Sequence, residues 1–254
     1  MLLLALDTAT PAVTVALHDG SSVLAASAQV DARRHGELLL PTVDAVLAEA
    51  GVKLAEVTDI AVGVGPGPYT GLRVGLMTAD TFGFTLGVPV HGVCTLDGIA
   101  YAHGTAAASE GPPGPFVVAT DARRKEVYWA RYEAPYTRVT DPAVDRPADI
   151  AEQVAGVPAV GAGAFLYPDV FPDAREPQHV QAAAVASFAV ERIAAGEGLP
   201  PGGGRAAGTA DAADDAGAPG AGRGVPHGLL PPRPLYLRRP DAQVPKNYKV
   251  VTPR

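Results

Sequence analysis

The sequence holds one cysteine, Cys94, which excludes an intrachain disulfide and a cysteine-built metal site and fits a cytoplasmic location. Histidines are sparse: His18, His35, His91, His103, His179 and His227. No two stand four apart, the spacing that puts two imidazoles on one helical face, so no metal centre is expected. The only serines are Ser21, Ser22, Ser27, Ser109 and Ser187, and none lies in a Gly-x-Ser-x-Gly elbow. Basic residues are also short, 20 Lys and Arg against 27 Asp and Glu, for a net charge of −7. That argues against a protein that binds nucleic acid alone, though not against a complex in which another subunit holds it. No uncharged apolar run approaches the roughly 18 residues of a membrane span. The opening Met1–Leu6 lacks a basic flank and ends at Asp7, so it does not read as a signal peptide.

Apolar residues are plentiful, 47 % of 254, enough for one large domain or two small ones. The most informative stretch runs from Gly63 to Val93. The apolar run 59–64 has strand character and stops at Gly65-Pro66-Gly67-Pro68, a tight loop. Thr70 is a good N-cap for a helix reaching about Leu86, which Gly87 and Pro89 end. Ligands collect at such strand-to-helix loops in α/β folds. At 100° per residue Gly71, Gly75, Thr78 and Phe82 share one face, Leu72, Leu76, Ala79 and Gly83 the next, and Arg73, Met77, Asp80 and Phe84 a third. An interior glycine costs about 1 kcal/mol relative to alanine, so the glycine face should meet something closely.

In chain order the pattern predicts strands at Leu2–Leu6, Val13–Leu17 and Val23–Val30, with a hairpin at Asp19-Gly20. A helix follows, with Leu39, Val43, Val46, Leu47 and Ala50 on one face and Gly51 at its end, and Pro89–Val93 is a further strand. Pro112-Pro113-Gly114-Pro115 marks a boundary between a first lobe (1–111) and a second (112–239). Beyond it come a strand at Phe116–Thr120, a turn at 121–125 and a strand at Val127–Tyr132. LLALDTATPAVTVAL aligns with VVATDARRKEVYWAR, Asp7 on Asp121, which suggests an internal duplication. The second copy dwindles: 134–180 is Pro-rich, with one strand near Ala159-Val160, and Gln181–Ala195 reads as helix. The segment 196–228 is low in complexity and reads as a disordered insertion; Leu235–Arg239 reads as a last strand and 240–254 as a mobile tail.

Two loops could carry chemistry. Asp7, Thr8 and Thr10 stand in a tight turn that could hold a phosphate on backbone N–H groups and a hydrated Mg²⁺ on the carboxylate, or could be an ordinary hairpin with an Asx-turn. The Gly65–Pro68 loop is not a P-loop: Gly71-Leu72-Arg73 stands where Gly-Lys-Ser/Thr would, and two prolines remove N–H donors. Arg123-Arg124-Lys125 is a small basic turn, either solvated or a binding site.

LALDTAT…VTVAL, GVGPGPYTGLRVG, PVHGVCTL, DARRKEVYWARY and the late PLYLR together resemble the TsaB (YeaZ) family of the bacterial tRNA threonylcarbamoyladenosine machinery, over nearly all of 1–195 and 233–239. The 196–228 segment has no counterpart in that pattern. The resemblance implies an actin/Hsp70/sugar-kinase-like (ASKHA) α/β fold of two duplicated lobes, the second reduced. It implies a non-catalytic partner of the TsaD-type transferase, homodimeric when alone, working with a TsaE-type ATPase and meeting tRNA through the complex. No cofactor is then required by this chain, with ATP and Mg²⁺ acting in the assembly. Where the transferase places its two metal-binding histidines, this sequence has Thr95 and Ile99. The partner surface would be the helix carrying Gly71, Arg73, Val74, Gly75, Thr78 and Phe82, and Asp7, Thr8 and Thr10 would be a vestigial phosphate turn. The alternative is a nucleotide-hydrolysing or kinase-like enzyme using Asp7, Thr8 and Thr10 at phosphate.

Overall fold

A computed structural model describes residues 1–107, 114–201 and 225–237. Strand β1 (Leu3–Asp7) is the centre of a five-stranded sheet. On one side it pairs antiparallel with β2 (Ala12–His18), which pairs antiparallel with β3 (Val23–Val30). On the other it pairs parallel with β4 (Asp59–Gly63), which pairs parallel with β5 (Val90–Val93). Parallel neighbours need crossovers. These are α1 (His35–Ala50), between β3 and β4, and α2 (Tyr69–Leu86), between β4 and β5; α3 (Thr95–Ala107) follows β5.

The second sheet repeats the plan. Strand β6 (Phe116–Asp121) pairs antiparallel with β7 (Val127–Glu133), which carries β8 (Thr137–Arg138) and β9 (Ala143–Asp145). On its other side β6 pairs parallel with β10 (Ala159–Val160), and β10 with β11 (Ala174–Arg175). Helices α4 (Pro147–Val154), α5 (Ala162–Leu166) and α6 (Ala182–Arg192) occupy the positions of α1, α2 and α3. The copy is shortened: α4 and α5 have 8 and 5 residues where α1 and α2 have 16 and 18. Asp7 and Asp121 end matching strands, and each accepts the N–H two residues on at 2.7 Å. This is the duplicated actin/Hsp70/sugar-kinase architecture, with the second lobe reduced.

Helices α3 and α6 pack on each other, and α6 also lies against β1 and β2. Strand β2 is therefore buried on both faces, including Thr14, although its sequence alternates like a half-solvated strand. The Ala182 N–H at the start of α6 donates to the Thr14 hydroxyl at 2.9 Å, which is why a polar side chain is tolerated there. One core joins the first sheet to α3, α6, Phe116 and Tyr132; a smaller one fills the second lobe around Val117, Trp129, Ile150 and Phe171.

Several expectations need correction. Helix α2 begins at Tyr69 behind Pro68, and no side chain caps it, so Thr70 is not its N-cap. Helix α3 is unforeseen because its interior glycines lower helix propensity. Both sit at close approaches: a Cβ on Gly104 would lie 1.7 Å from Pro135 O, and one on Gly98 2.9 Å from Val185 Cγ2. Helices α4 and α5 lie in the stretch read as irregular. Of the segment read as a disordered insertion, 196–201 and 225–228 are described: Arg138 Nη2 donates to Val225 O (3.0 Å) and Pro226 O (2.7 Å). Residues 202–224 lie outside the described residues, as does the tail from 240. Leu235–Leu237 is not a strand; instead Leu230 bridges to Gly92, and Leu235 N–H donates to Val64 O at 2.8 Å. Residues 238–239 also lie outside. No helix among the described residues is long and apolar enough to cross a membrane.

Candidate functional site

The Asp7 turn, the Gly65–Pro68 loop and the start of α2 interlock. Asp7 is fully buried. Its Oδ1 accepts the Ala9 N–H at 2.7 Å and its Oδ2 accepts the Thr95 hydroxyl at 2.7 Å. Thr95 in turn receives the Gly65 N–H at 3.2 Å, so one hydroxyl ties the turn to the loop. Glycines at the end of β4 and in the loop are required by contact. A Cβ on Gly63 would stand 1.7 Å from Asp7 Oδ2, and one on Gly67 2.1 Å from Ala9 O.

Thr8 reaches into α2. Its hydroxyl donates to Gly71 O at 2.8 Å and accepts the Gly75 N–H at 2.9 Å, standing between two groups that an undisturbed helix would pair directly. A Cβ on Gly71 would lie 2.7 Å from Thr8 O, and one on Gly75 2.5 Å from Thr8 Oγ1. The glycine face of α2 therefore meets this protein's own turn, and Gly71 and Gly75 are not available to a partner. Of the other residues expected at an interface, Val74, Thr78 and Phe82 are half-buried, and Arg73 is exposed with its guanidinium 5.2 Å from the Tyr69 ring centre. The outward strip also carries Tyr69, Met77 and Phe84, 55 %, 56 % and 68 % exposed. Tyr236, from the returning C-terminal segment, stacks on Tyr69 at 5.3 Å.

Asp7 does not present a free carboxylate. Burial pushes its pKa from 3.8 up to about 6, against the pull of the Thr95 and Ala9 hydrogen bonds and the His35 charge. A folded value above the unfolded one favours the protonated state. Its contribution to stability is fully present below pH 3.8 and is lost as pH rises through 6, a cost on the order of 3 kcal/mol. Asp7→Asn should remove that dependence. The stability difference between variant and wild type, from urea midpoints between pH 4 and 7, should climb to about pH 6 and then level. A difference independent of pH would show that Asp7 does not titrate there.

Thr8 and Thr10 do line a cavity of about 280 Å³, with Arg33, His35, Thr70 and Arg123. The Thr10 carbonyl lies 2.8 Å from His35 Nε2, and Thr10 Oγ1 accepts the Ala12 N–H at 3.2 Å. Two of the turn's backbone N–H groups, those of Ala9 and Ala12, are held by its own side chains, which takes them from the cradle a phosphate would use. Among the described residues no group of three or more His, Cys, Asp and Glu could hold a metal ion. Thr95 and Ile99 are both fully buried on α3.

A second buried polar node has no signature in the sequence. Asp97 on α3 accepts the Tyr132 hydroxyl at 2.7 Å and stands 2.9 Å from Arg138 Nε. Burial pushes its carboxyl up, while Arg138 and Tyr132 pull it down. Asp97 Oδ2 and Arg138 Nη1 have no hydrogen-bond partner.

The sequence model of the family described as tRNA N6-adenosine threonylcarbamoyltransferase (TsaD) matches residues 25–187. An uncharacterized protein of Mycobacterium tuberculosis is 45 % identical over 187 residues, 71 % of this chain and 83 % of that one. The tRNA threonylcarbamoyladenosine biosynthesis protein TsaB of Escherichia coli is 37 % identical over 133 residues, which span 52 % of this chain and 55 % of TsaB. The solved structure of YeaZ from Pseudomonas aeruginosa superposes with a TM-score of 0.67 at 31 % identity, covering 79 % of this chain and 97 % of YeaZ.

Proposed function

The chain belongs to the TsaB (YeaZ) family, within the wider family of TsaD, and on that premise we propose that it is a non-catalytic subunit in tRNA threonylcarbamoyladenosine biosynthesis. It pairs with a TsaD-type transferase and supports N6-threonylcarbamoylation of adenosine 37 in tRNAs reading codons that begin with A. A TsaE-type ATPase joins the assembly, and the chain pairs with itself when alone. The observation that carries this reading is the use made of the cleft residues. Asp7, Thr8 and Thr95 spend their side-chain polar atoms on the turn itself, on the loop and on α2, so these three are engaged in structure. Ile99 offers no donor atom to a metal. The exposed apolar strip on α2 is in turn the kind of surface a subunit covers.

The alternative is an enzyme that binds and hydrolyses nucleotide by itself; the cavity beside Thr8 and Thr10 favours it and the closed bonding of Asp7 opposes it. Calorimetry with Mg-ATP separates the two, since tight binding by the isolated chain would sink the scaffold reading. The direct test is a reconstituted assay with tRNA, threonylcarbamoyl-adenylate and the transferase, with and without this chain. Product should form only when the chain is present, and the chain alone should make none. Transfer by the chain without the transferase, or full activity in its absence, would overturn the proposal.

A further inference from the structure

We propose that the β6–β7 turn and the hollows on either side of it form a contact surface for the phosphodiester backbone of RNA. This rests on the reading of the chain as part of a tRNA-modifying assembly and says where on the chain the RNA lies. The turn carries Arg123, Arg124 and Lys125 in succession, all left-handed, at φ 61°, 55° and 63°. Asp121 holds the shape by accepting the Arg123 N–H at 2.7 Å, and Ala122 and Glu126 N–H groups close it on Glu126 O and Arg123 O at 3.0 Å. On one side, Arg123 lines the 280 Å³ cavity together with Arg33 and His35, and no acidic side chain lines that cavity. On the other, Lys125 lines a groove of about 310 Å³ with Arg146 and Tyr167, where Asp169 is the acid present.

Four cations thus line two hollows joined by one short turn, on a protein whose net charge is −7. A small anion would occupy one hollow and leave the other cations unused. A nucleic-acid strand carries its charges in a row and can follow both. Arg123 is 59 % exposed and only 3.3 Å from a single oxygen of Asp121, so a phosphate reaches it without breaking a buried pair. The Tyr167 ring beside Lys125 adds a face on which an unpaired base can stack.

The test is fluorescence anisotropy of a labelled tRNA with the full chain and the transferase, at about 50 and 200 mM salt. Arg123→Glu/Lys125→Glu and, separately, Arg146→Glu, which leaves the left-handed turn intact, should each weaken binding about tenfold or more. The salt slope should fall by about 0.7 to 0.9 for each phosphate that is no longer neutralised. Lys53→Glu, beyond the far end of α1, about 24 Å of helix from the cavity, should change little. Thermal unfolding checks that each variant is folded, and light scattering reads pairing separately. Unchanged affinity in the turn and Arg146 variants, equal weakening in Lys53→Glu, or no tRNA binding by the wild-type assembly would overturn the proposal. Displacement of tRNA by millimolar Mg-ATP would assign the hollow to free nucleotide and overturn it too. If the wild type does not pair, the proposed function fails instead, and anisotropy on the chain alone decides the RNA surface by the same criteria.

Discussion

Arg138→Ala should destabilise the protein by about 3–5 kcal/mol at pH 7, the loss found when one partner of a buried ion pair is removed. The side chains of Asp97 and Arg138 are 0 % and 2 % exposed. Without the guanidinium, Asp97 keeps one hydrogen bond from Tyr132 and only the weaker pull of the Arg192 charge. The Val225 and Pro226 carbonyls lose their donor as well, so the segment that returns from the insertion keeps the Val225 N–H bond to Asp141 Oδ1 (2.7 Å) but loses both bonds from Arg138. Two separate penalties therefore follow from one substitution. A double variant, Asp97→Asn with Arg138→Met, separates them. It removes both charges and keeps most of the volume, and a buried pair replaced by uncharged groups of similar size is often nearly neutral. The double variant should recover well over half of the loss, leaving the part due to the two carbonyls. Urea denaturation at pH 7 measures all three proteins. A single variant within 1 kcal/mol of wild type, or a double variant no better than the single, would show that the node is not coupled in this way.

Much of the first lobe is legible because its sequence pattern and its surroundings agree. Val23–Val30 reads as a strand and is one, at the edge of its sheet, and Gly51 and Gly87 end α1 and α2 in the left-handed conformation glycine favours. The Asp7 and Asp121 turns are visible as a repeat because a strand, an Asx-turn and a strand recur in register. What the sequence hides is set by contacts distant along the chain. Helix α3 forms against Pro135 and Val185 despite its glycines. Asp97 and Arg138 are 41 positions apart and belong to different lobes, and no local pattern announces their pairing. Thr95 reads as one more polar residue until β5 and α3 bring its hydroxyl to Asp7. The glycine face of α2 is legible as a close approach, but the sequence does not say to what; the answer, Thr8, lies 63 and 67 residues away.

That answer changes which substitutions should separate folding from pairing. Gly75→Leu reads from sequence as a block on a partner's helix. In the structure even the Cβ would lie 2.5 Å from Thr8 Oγ1 and 3.3 Å from Leu6 Cδ1, and the remaining leucine atoms would enter the same packed space. The variant should lose about 3 kcal/mol through overpacking, with the Thr8 bonds to Gly71 and Gly75 broken as the helix is pushed off the turn. Loss of pairing would then follow from damage to the fold. The outward strip behaves differently. Met77 and Phe84 stand seven apart on one side of α2, both more than half exposed, so Met77→Glu and Phe84→Glu should alter monomer stability by roughly 0.5 kcal/mol or less. A carboxylate set into this surface must be desolvated on pairing and the apolar contact is lost with it, so both changes should disrupt self-association and pairing with the transferase, Phe84→Glu more than Met77→Glu, which stands one turn from Arg73. Urea midpoints and light scattering on the three variants give both quantities. A folded, stable Gly75→Leu that fails to pair, beside glutamate variants that pair normally, would return the interface to the glycine face; the opposite pattern places it on the strip of Arg73, Met77 and Phe84, with the glycines serving the turn beneath.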